Sequence, residues 1–183
     1  MVYRIKLGSI ERDLPLCPLN DSLYIAAFVM FGDVELTEEC AKELIARAPE
    51  HDVMITAESK GIPLVYEMAR QMGVNRYALA RKGVKLYMKN VLECRVRSIT
   101  TEASQTLYLD GDDAAYMKGK RVLIVDDVIS TGESLHALEE LVALAGGTVV
   151  GKMAVLAEGD AIQRKDIVTL APLPLFDKNG KPI

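Results

Sequence analysis

The sequence predicts an α/β domain in which helices flank a mostly parallel central sheet. Residues 121–125 are apolar except for Arg121, and two acids follow them. They lack the alternation of a half-solvated strand, which indicates a strand buried on both faces. Apolar residues at helical spacing follow over residues 134–145, and residues 52–73 show the same order of strand, turn and helix. A further strand is predicted at residues 148–156. Strands that alternate with helices are typical of a parallel sheet.

The composition fits one folded domain over residues 1–183. Hydrophobic residues make up 50% of the chain and charged residues 26%, which is ordinary for a globular protein with a full core. The formal net charge is −4. A general nucleic-acid surface needs an excess of lysine and arginine, so we expect no nucleic-acid partner.

Cysteine spacing and hydropathy indicate the compartment. Cys17, Cys40 and Cys94 lie far apart, in a pattern that indicates neither a zinc site nor a disulfide framework. The longest apolar stretch, residues 23–31, is too short to span a bilayer, and the first residues are charged rather than typical of a signal peptide. We therefore expect a cytoplasmic protein with no membrane partner.

The remaining elements follow in chain order. A helix that begins near Thr37 is expected to end before Pro49, and residues 77–80 predict a short strand. Two β segments around a polar tip predict a flexible hairpin over residues 91–109. The acidic residues 110–113 are expected to form a solvated loop.

Two acids and a hydroxyl-rich turn follow the most apolar strand. Asp126 and Asp127 can accept hydrogen bonds from vicinal hydroxyl groups. Residues 130–134, here called the phosphate turn, open the next helix, where free backbone N–H groups favour a phosphate. A sugar with a 5-phosphate satisfies both parts. A paired-acid metal site and an ordinary strand-to-helix connection are the alternatives.

A second turn could hold another anion. Residues 58–61, here called the lysine turn, place Lys60 and Gly61 at the start of a helix. Arg81, Lys82 and Lys85 surround a glycine after the next strand, as a solvated basic loop or as a clamp for a charged leaving group.

The run from residue 121 to residue 134 resembles the signature for phosphoribosyl diphosphate (PRPP) of type I phosphoribosyltransferases. The resemblance implies that family's fold, with a small hood that covers the site and a flexible β-hairpin. It also implies that the two acids hold the ribose hydroxyls and that the phosphate turn wraps the 5-phosphate. The residues expected to bind PRPP are Asp126, Asp127, Val128, Ile129, Ser130, Thr131, Gly132, Glu133 and Ser134.

Four shorter segments, 58–61, 81–86, 98–102 and 170–176, are similar to adenine phosphoribosyltransferases. The segment 80–82 and the long hairpin are similar to xanthine phosphoribosyltransferases. The hood is expected at residues 1–31 with part of the C-terminal tail. Glu102 at the hairpin tip is implied as a third catalytic residue beside the two acids, and Glu158 and Asp160 as base contacts. The residues implied for pyrophosphate are Glu58, Ser59, Lys60, Gly61, Arg81, Lys82 and Lys85.

The resemblance implies a purine phosphoribosyltransferase, with adenine favoured and a xanthine or hypoxanthine enzyme as the alternative. The substrates would be PRPP and a purine base, and the products a nucleoside monophosphate and pyrophosphate. Mg²⁺ would be the cofactor, held mainly by PRPP rather than by a defined set of protein ligands. A homodimer is implied in the same way. A PRPP-sensing regulator that performs no transfer is the alternative from another class.

Overall fold

The structure is a computed structural model that describes residues 1–97 and 104–183. Its centre is a parallel sheet of five strands in the order β10-β9-β8-β4-β5, flanked by helices, which confirms the predicted fold class. The strands are β4 (Val53–Ala57), β5 (Ala78–Ala80), β8 (Arg121–Ile129), β9 (Thr148–Glu158) and β10 (Val168–Leu173).

The middle strand, β8, packs against a hydrophobic core on each face of the sheet. Leu123 and Val125 join the core beneath the first two helices, whereas Val122 and Ile124 join the core on the opposite face. All four side chains are fully buried. This two-sided burial explains why the strand lacks the polar alternation of a surface strand.

Four helices cover the two faces of the sheet. Helices α1 (Val34–Ile45) and α2 (Gly61–Met72) lie on one face, and α3 (Gly111–Met117) and α4 (Glu133–Leu144) on the other. Helix α2 ends at Gly73, whose left-handed backbone (φ of 68°) lets its N–H reach the last carbonyls of the helix.

A second, antiparallel sheet is built from both ends of the chain. Strands β1 (Val2–Leu7), β2 (Ile10–Pro18) and β3 (Leu23–Ala26) pair in sequence, and β11 (Phe176–Asp177) joins β3. Phe176 is fully buried and tilts against the ring of Tyr3 at 5.0 Å. The hood role of this sheet stays a prediction.

The described part of the predicted hairpin consists of β6 (Leu92–Arg97) and β7 (Ser104–Leu109), which pair in antiparallel register. The hairpin is joined to the body by a bridge in which Arg81 and Tyr108 exchange backbone hydrogen bonds of 2.7 and 2.8 Å. Its tip lies outside the described residues.

The structure corrects three sequence expectations. Strand β8 continues through both acids to Ile129 because β9 pairs with it along that length. Residues 111–113 begin helix α3 rather than a loop, since the Asp113 carboxylate pairs with Arg76 at 3.0 Å and accepts a hydrogen bond from the N–H of Leu79. Helix α1 begins at Val34, before Thr37, because the carboxylate of Asp33 caps it.

Candidate active site

The main cavity lies where the parallel strands end. It has a volume of about 380 Å³ and opens beyond the carboxyl ends of β4, β8 and β9, the usual position of ligand sites in such sheets. Part of its wall comes from the end of β3 in the second sheet. The lining residues are Ile25, Ala26, Ala27, Phe28, Val29, Ala57, Glu58, Ser59, Lys60, Lys82, Asp126, Asp127, Val128, Ser130, Ser134, Glu158 and Leu173.

The two neighbouring acids lie in the wall of this cavity. Asp127 is 5% exposed, and its Oδ2 atom lies 3.2 Å from Nζ of Lys60. That ammonium group is close enough for an ion pair but is not aligned for a hydrogen bond, and Oδ2 has no other partner among the described residues. Oδ1 of Asp126 accepts a hydrogen bond of 2.9 Å from the N–H of Asp127. A buried carboxylate oxygen without a donor suits a ligand that supplies hydroxyl groups.

The environment of Asp126 disfavours its charged form. Burial, and then repulsion from Asp127, raises the pKa of Asp126 to about 8. The folded protein therefore binds the proton of the Asp126 carboxyl group more tightly than the unfolded chain does. In the unfolded chain, an aspartate has a pKa of about 4. The contribution of Asp126 to stability is thus present at low pH and is lost as the pH rises from about 4 to about 8.

This linkage predicts that Asp126→Asn raises thermal stability at pH 8 and changes it little at pH 4. Asparagine resembles the protonated carboxyl group and removes the cost of burying a charge. The measurement is the melting temperature of the wild type and the variant across this pH range. Equal melting temperatures at pH 8 would show that the carboxyl group is not held in its neutral form.

The phosphate turn forms a smaller cavity of about 50 Å³ next to the main one. Gly132 precedes α4 with a left-handed backbone (φ of 81°) and has no side chain to cap the helix, and the start of a helix favours an anion. The lining residues are Asp126, Val128, Ile129, Ser130, Thr131, Gly132, Glu133, Ser134 and Leu135. Because Asp126 borders both cavities, one ligand could reach both.

The lysine turn faces the same cavity from β4. Ser59 and Lys60 line the cavity, and the peptide bond between Glu58 and Ser59 is cis. Gly61 begins α2 so close to the neighbouring strands that a β-carbon there would overlap Oγ1 of Thr56 and lie 3.3 Å from Oδ1 of Asp126. Only glycine fits at this position without a shift of its neighbours.

Glu58 organises the basic residues around the lysine turn. Its carboxylate accepts a 2.9 Å hydrogen bond from the N–H of Lys82, and this bond, ahead of the nearby positive charges of Arg81 and Lys85, lowers the pKa of Glu58. Arg81 pairs with Glu58 at 3.2 Å and donates to the hydroxyl of Tyr87 at 3.0 Å. Lys82 lines the main cavity, whereas Arg81 and Lys85 do not.

Another part of the cavity wall combines apolar groups with one acid. Glu158 is half-buried at the end of β9, and burial raises the pKa of its carboxyl group. Asp160 is exposed and outside the cavity wall. The segment 25–29 and Leu173 also line the cavity, and the sequence did not single them out as site residues. The sequence signals for the segment 25–29 were its place in an apolar stretch and in the expected hood.

The remaining site expectations concern Glu102 and metal ions. Glu102 lies outside the described residues, so its position stays a prediction. Within residues 1–97 and 104–183, no group of three or more His, Cys, Asp or Glu side chains is arranged to hold a metal ion. None of the helices in these ranges has the length and apolar character that a bilayer span requires.

Comparison with known proteins shows the family of this chain. The family model described as a phosphoribosyl transferase domain matches residues 34–171. The chain is 32% identical to an adenine phosphoribosyltransferase of Thermotoga maritima over 158 residues, which cover 81% of this chain and 84% of the relative. It is also 32% identical to a hypoxanthine/guanine phosphoribosyltransferase of Methanotorris igneus, over 95% of this chain and 98% of the relative.

A solved structure shares the fold. The adenine phosphoribosyltransferase of Thermoanaerobacter pseudethanolicus superposes with a TM-score of 0.72 at 20% identity, over 87% of this chain and 95% of that one. Together with the family match, this likeness confirms the resemblance found in the sequence. The chain therefore belongs to the type I phosphoribosyltransferase family.

Proposed function

We propose that this protein is a purine phosphoribosyltransferase that transfers ribose 5-phosphate from PRPP to a purine base, with adenine favoured. The observation that carries the proposal is that Asp126, the phosphate turn and the lysine turn meet in one connected site. The site offers carboxylates for a sugar, helix N–H groups for a phosphate and a cation for a diphosphate. The adenine enzymes among its relatives support the choice of base.

In the proposed reaction, a ring nitrogen of the base bonds to C1 of the ribose as the bond from C1 to the diphosphate breaks. The electron pair of that bond leaves with pyrophosphate, and the base loses a proton. Positive charge develops on the sugar, so the protein acts mainly by positioning the reactants and balancing charge. Asp126 and Asp127 hold the ribose hydroxyls, and the phosphate turn fixes the opposite end of the sugar.

Lys60 and Lys82 are the cations that line the main cavity. We assign them to the diphosphate, whose negative charge grows as it leaves. Lysine in the lysine turn supplies a point charge rather than the two-pronged donor of arginine. Arg81 is paired with Glu58, so in this proposal it acts by orienting that carboxylate and, through it, the N–H of Lys82.

Mg²⁺ is the proposed cofactor. The donor set fits it, because Mg²⁺ prefers substrate phosphates, water and one or two carboxylates to a cage of protein ligands. Among the described residues, the acids that line the main cavity are Glu58, Asp126, Asp127 and Glu158, and they form no cage for a metal ion, so the ion would be held mainly by PRPP. When bound, Mg²⁺ would neutralise part of the diphosphate charge.

A 6-oxopurine is the second candidate base. The hypoxanthine/guanine relative aligns with 95% of this chain, more than the 81% aligned by the adenine relative. Glu158 is proposed as a base contact, and its raised pKa allows it either to accept from an amino group or, when protonated, to donate to an oxo group. Asp160 is also proposed as a base contact; it is exposed and lies outside the cavity wall.

A steady-state assay of pyrophosphate release tests the proposal directly. The protein is supplied with PRPP, Mg²⁺ and, in turn, adenine, guanine, hypoxanthine, xanthine and orotate. Turnover is expected with a purine, fastest with adenine. Turnover with hypoxanthine but not adenine would select the second candidate, and no turnover with any base would favour a PRPP-sensing regulator.

Glu102 is proposed to act on the base or the leaving group from the tip of the hairpin. Replacing Glu102 by alanine should lower kcat by about tenfold to a hundredfold, with a smaller effect on PRPP affinity. Glu93, an exposed acid on the same hairpin, provides a matched control, and its alanine variant should keep wild-type kinetics. If the Glu102 variant turns over at the wild-type rate, Glu102 has no part in the mechanism.

We also propose a cytoplasmic homodimer, by analogy with the family. The exposed apolar side chains of Val84, Leu86 and Tyr87 lie beside the basic loop and support an interface there. Sedimentation should give twice the chain mass. A monomer with full activity would contradict this assignment.

A further inference from the structure

A guanidinium group lies beside the phosphate turn, on a segment that the sequence did not connect with it. Arg164 follows the short 3₁₀ helix Gly159–Gln163 that comes after β9. Its Nη1 atom lies so close to Gly132 that a β-carbon on that glycine would be 2.5 Å from it. Gly132 also occupies the N-cap position of α4. Arg164 therefore contacts the turn at the residue from which the helix N–H groups start.

A series of ion pairs fixes the orientation of this guanidinium group. Nε and Nη2 of Arg164 donate to the two oxygens of Asp166 at 3.0 and 2.7 Å. The same carboxylate binds Nζ of Lys152 at 2.6 Å, and Lys152 also binds Glu139 on α4 at 2.8 Å. The side chain of Lys152 is only 16% exposed. With two nitrogens held by Asp166, Nη1 is the nitrogen that faces Gly132.

The ion pairs join the elements on which the proposed site depends. Lys152 belongs to β9, which ends at Glu158 in the cavity wall, and Glu139 belongs to the helix that follows the phosphate turn. The two cations and two carboxylates cancel in net charge, so the group adds little long-range field. Its effect is to fix the position of α4 and of the turn relative to β9.

We propose that Arg164 is a positioning residue for the phosphate turn, which it holds by packing Nη1 against Gly132. The turn then presents the first N–H groups of α4 in a fixed direction. This inference rests on the proposed function, because the anion to be held there is the 5-phosphate of the ribosyl substrate. Fixed donors bind an anion more tightly than donors that must first be ordered.

The test compares affinities for the two anions of the reaction. Calorimetry gives the Kd for ribose 5-phosphate and for pyrophosphate with the wild type and with Arg164→Gln. The Kd for ribose 5-phosphate should rise about tenfold, because the N–H donors of the turn must then be ordered on binding, and the Kd for pyrophosphate should not change. An unchanged affinity for ribose 5-phosphate, or an equal loss for both anions, overturns the proposal.

Arg121 provides the matched control. It also binds an aspartate, Asp52, through Nε and Nη2 at 3.1 and 2.8 Å, but at the start of β8, away from the cavity. Arg121→Gln should leave both affinities at the wild-type value. If it weakens ribose 5-phosphate binding as much as Arg164→Gln does, the effect is general loss of structure and the proposal is wrong.

A conservative variant separates position from charge. Arg164→Lys keeps the charge and loses the fork that Asp166 holds, so its affinity for ribose 5-phosphate should stay near that of Arg164→Gln. Full recovery with lysine would overturn the positioning role. In the transfer assay, Arg164→Gln should raise KM for PRPP and leave KM for the base unchanged.

The outcomes for the two proposals are distinct. A wild type that binds ribose 5-phosphate but transfers it to no base contradicts the proposed function and leaves the Arg164 comparison valid. An active wild type whose Arg164→Gln variant binds ribose 5-phosphate normally contradicts the Arg164 proposal alone.

Discussion

Replacing Asp126 and Asp127 together by asparagine should weaken PRPP binding about a hundredfold without unfolding the domain. Each acid is expected to accept a hydrogen bond from a ribose hydroxyl. A hydrogen bond to a charged group such as Asp127 contributes about 1.5–3 kcal/mol, and an ordinary one, as expected for Asp126, contributes about 0.5–1.5 kcal/mol. The fold should survive because asparagine keeps the side-chain volume and because burial already disfavours the charge on Asp126. Calorimetry gives the affinity, and circular dichroism checks the fold.

Asp112 and Asp113 offer a control with the same pair of substitutions. They are also neighbouring acids, but they lie in the first turn of α3, outside the main cavity. Their double asparagine variant should bind PRPP as the wild type does. If PRPP affinity is the same in the Asp126 and Asp127 variant as in the wild type, the two acids do not hold the sugar.

Gly61→Ala should reduce both stability and anion binding. The added methyl group would overlap Oγ1 of Thr56, a fully buried side chain, and crowd Asp126. Inserting a methyl group into a packed site costs about 1–3 kcal/mol, and here the cost falls on the start of α2, beside Lys60. Denaturation in urea measures the free energy of unfolding, and calorimetry measures pyrophosphate affinity.

Removing the overlapping atom provides the control for this variant. Thr56→Ala deletes Oγ1, so the double variant with Gly61→Ala should be more stable than the sum of the two single changes predicts. Strict additivity would mean that the Thr56 contact is not the reason for glycine at residue 61. A single variant with wild-type stability and affinity would show that α2 moves freely to accept the methyl group.

Much of this architecture could be predicted from short stretches of sequence. The strand before Asp126 was recognisable because burial on both faces requires an unbroken apolar run. The phosphate turn was recognisable because hydroxyl groups and glycine follow two acids at the start of a helix. The lysine turn alone is a weak signal, since a helix start with a solvated lysine has the same sequence. The end of β8 was placed too early, because its length depends on pairing with β9 and not on the residues of β8 alone.

The parts that could not be predicted depend on contacts between distant segments. Residues 25–29 line the cavity from the end of β3, a strand that pairs with β2 and with β11, about 150 residues later in the chain. The role of Arg81 at pyrophosphate stays a prediction, and its pairing with Glu58 was not foreseen because it depends on the parallel register of β4 and β5. Nη1 of Arg164 lies beside Gly132 because Asp166 holds the other nitrogens of the guanidinium group. This contact between Arg164 and Gly132 has no local sequence signal.

The most direct test of the account is a crystal structure with ribose 5-phosphate bound. We expect the carboxylates of Asp126 and Asp127 within hydrogen-bond distance of the two ribose hydroxyls, and the phosphate on the N–H groups at the start of α4. A site that stays empty at saturating ligand, or one in which the two acids enclose only a metal ion, would contradict the central claim.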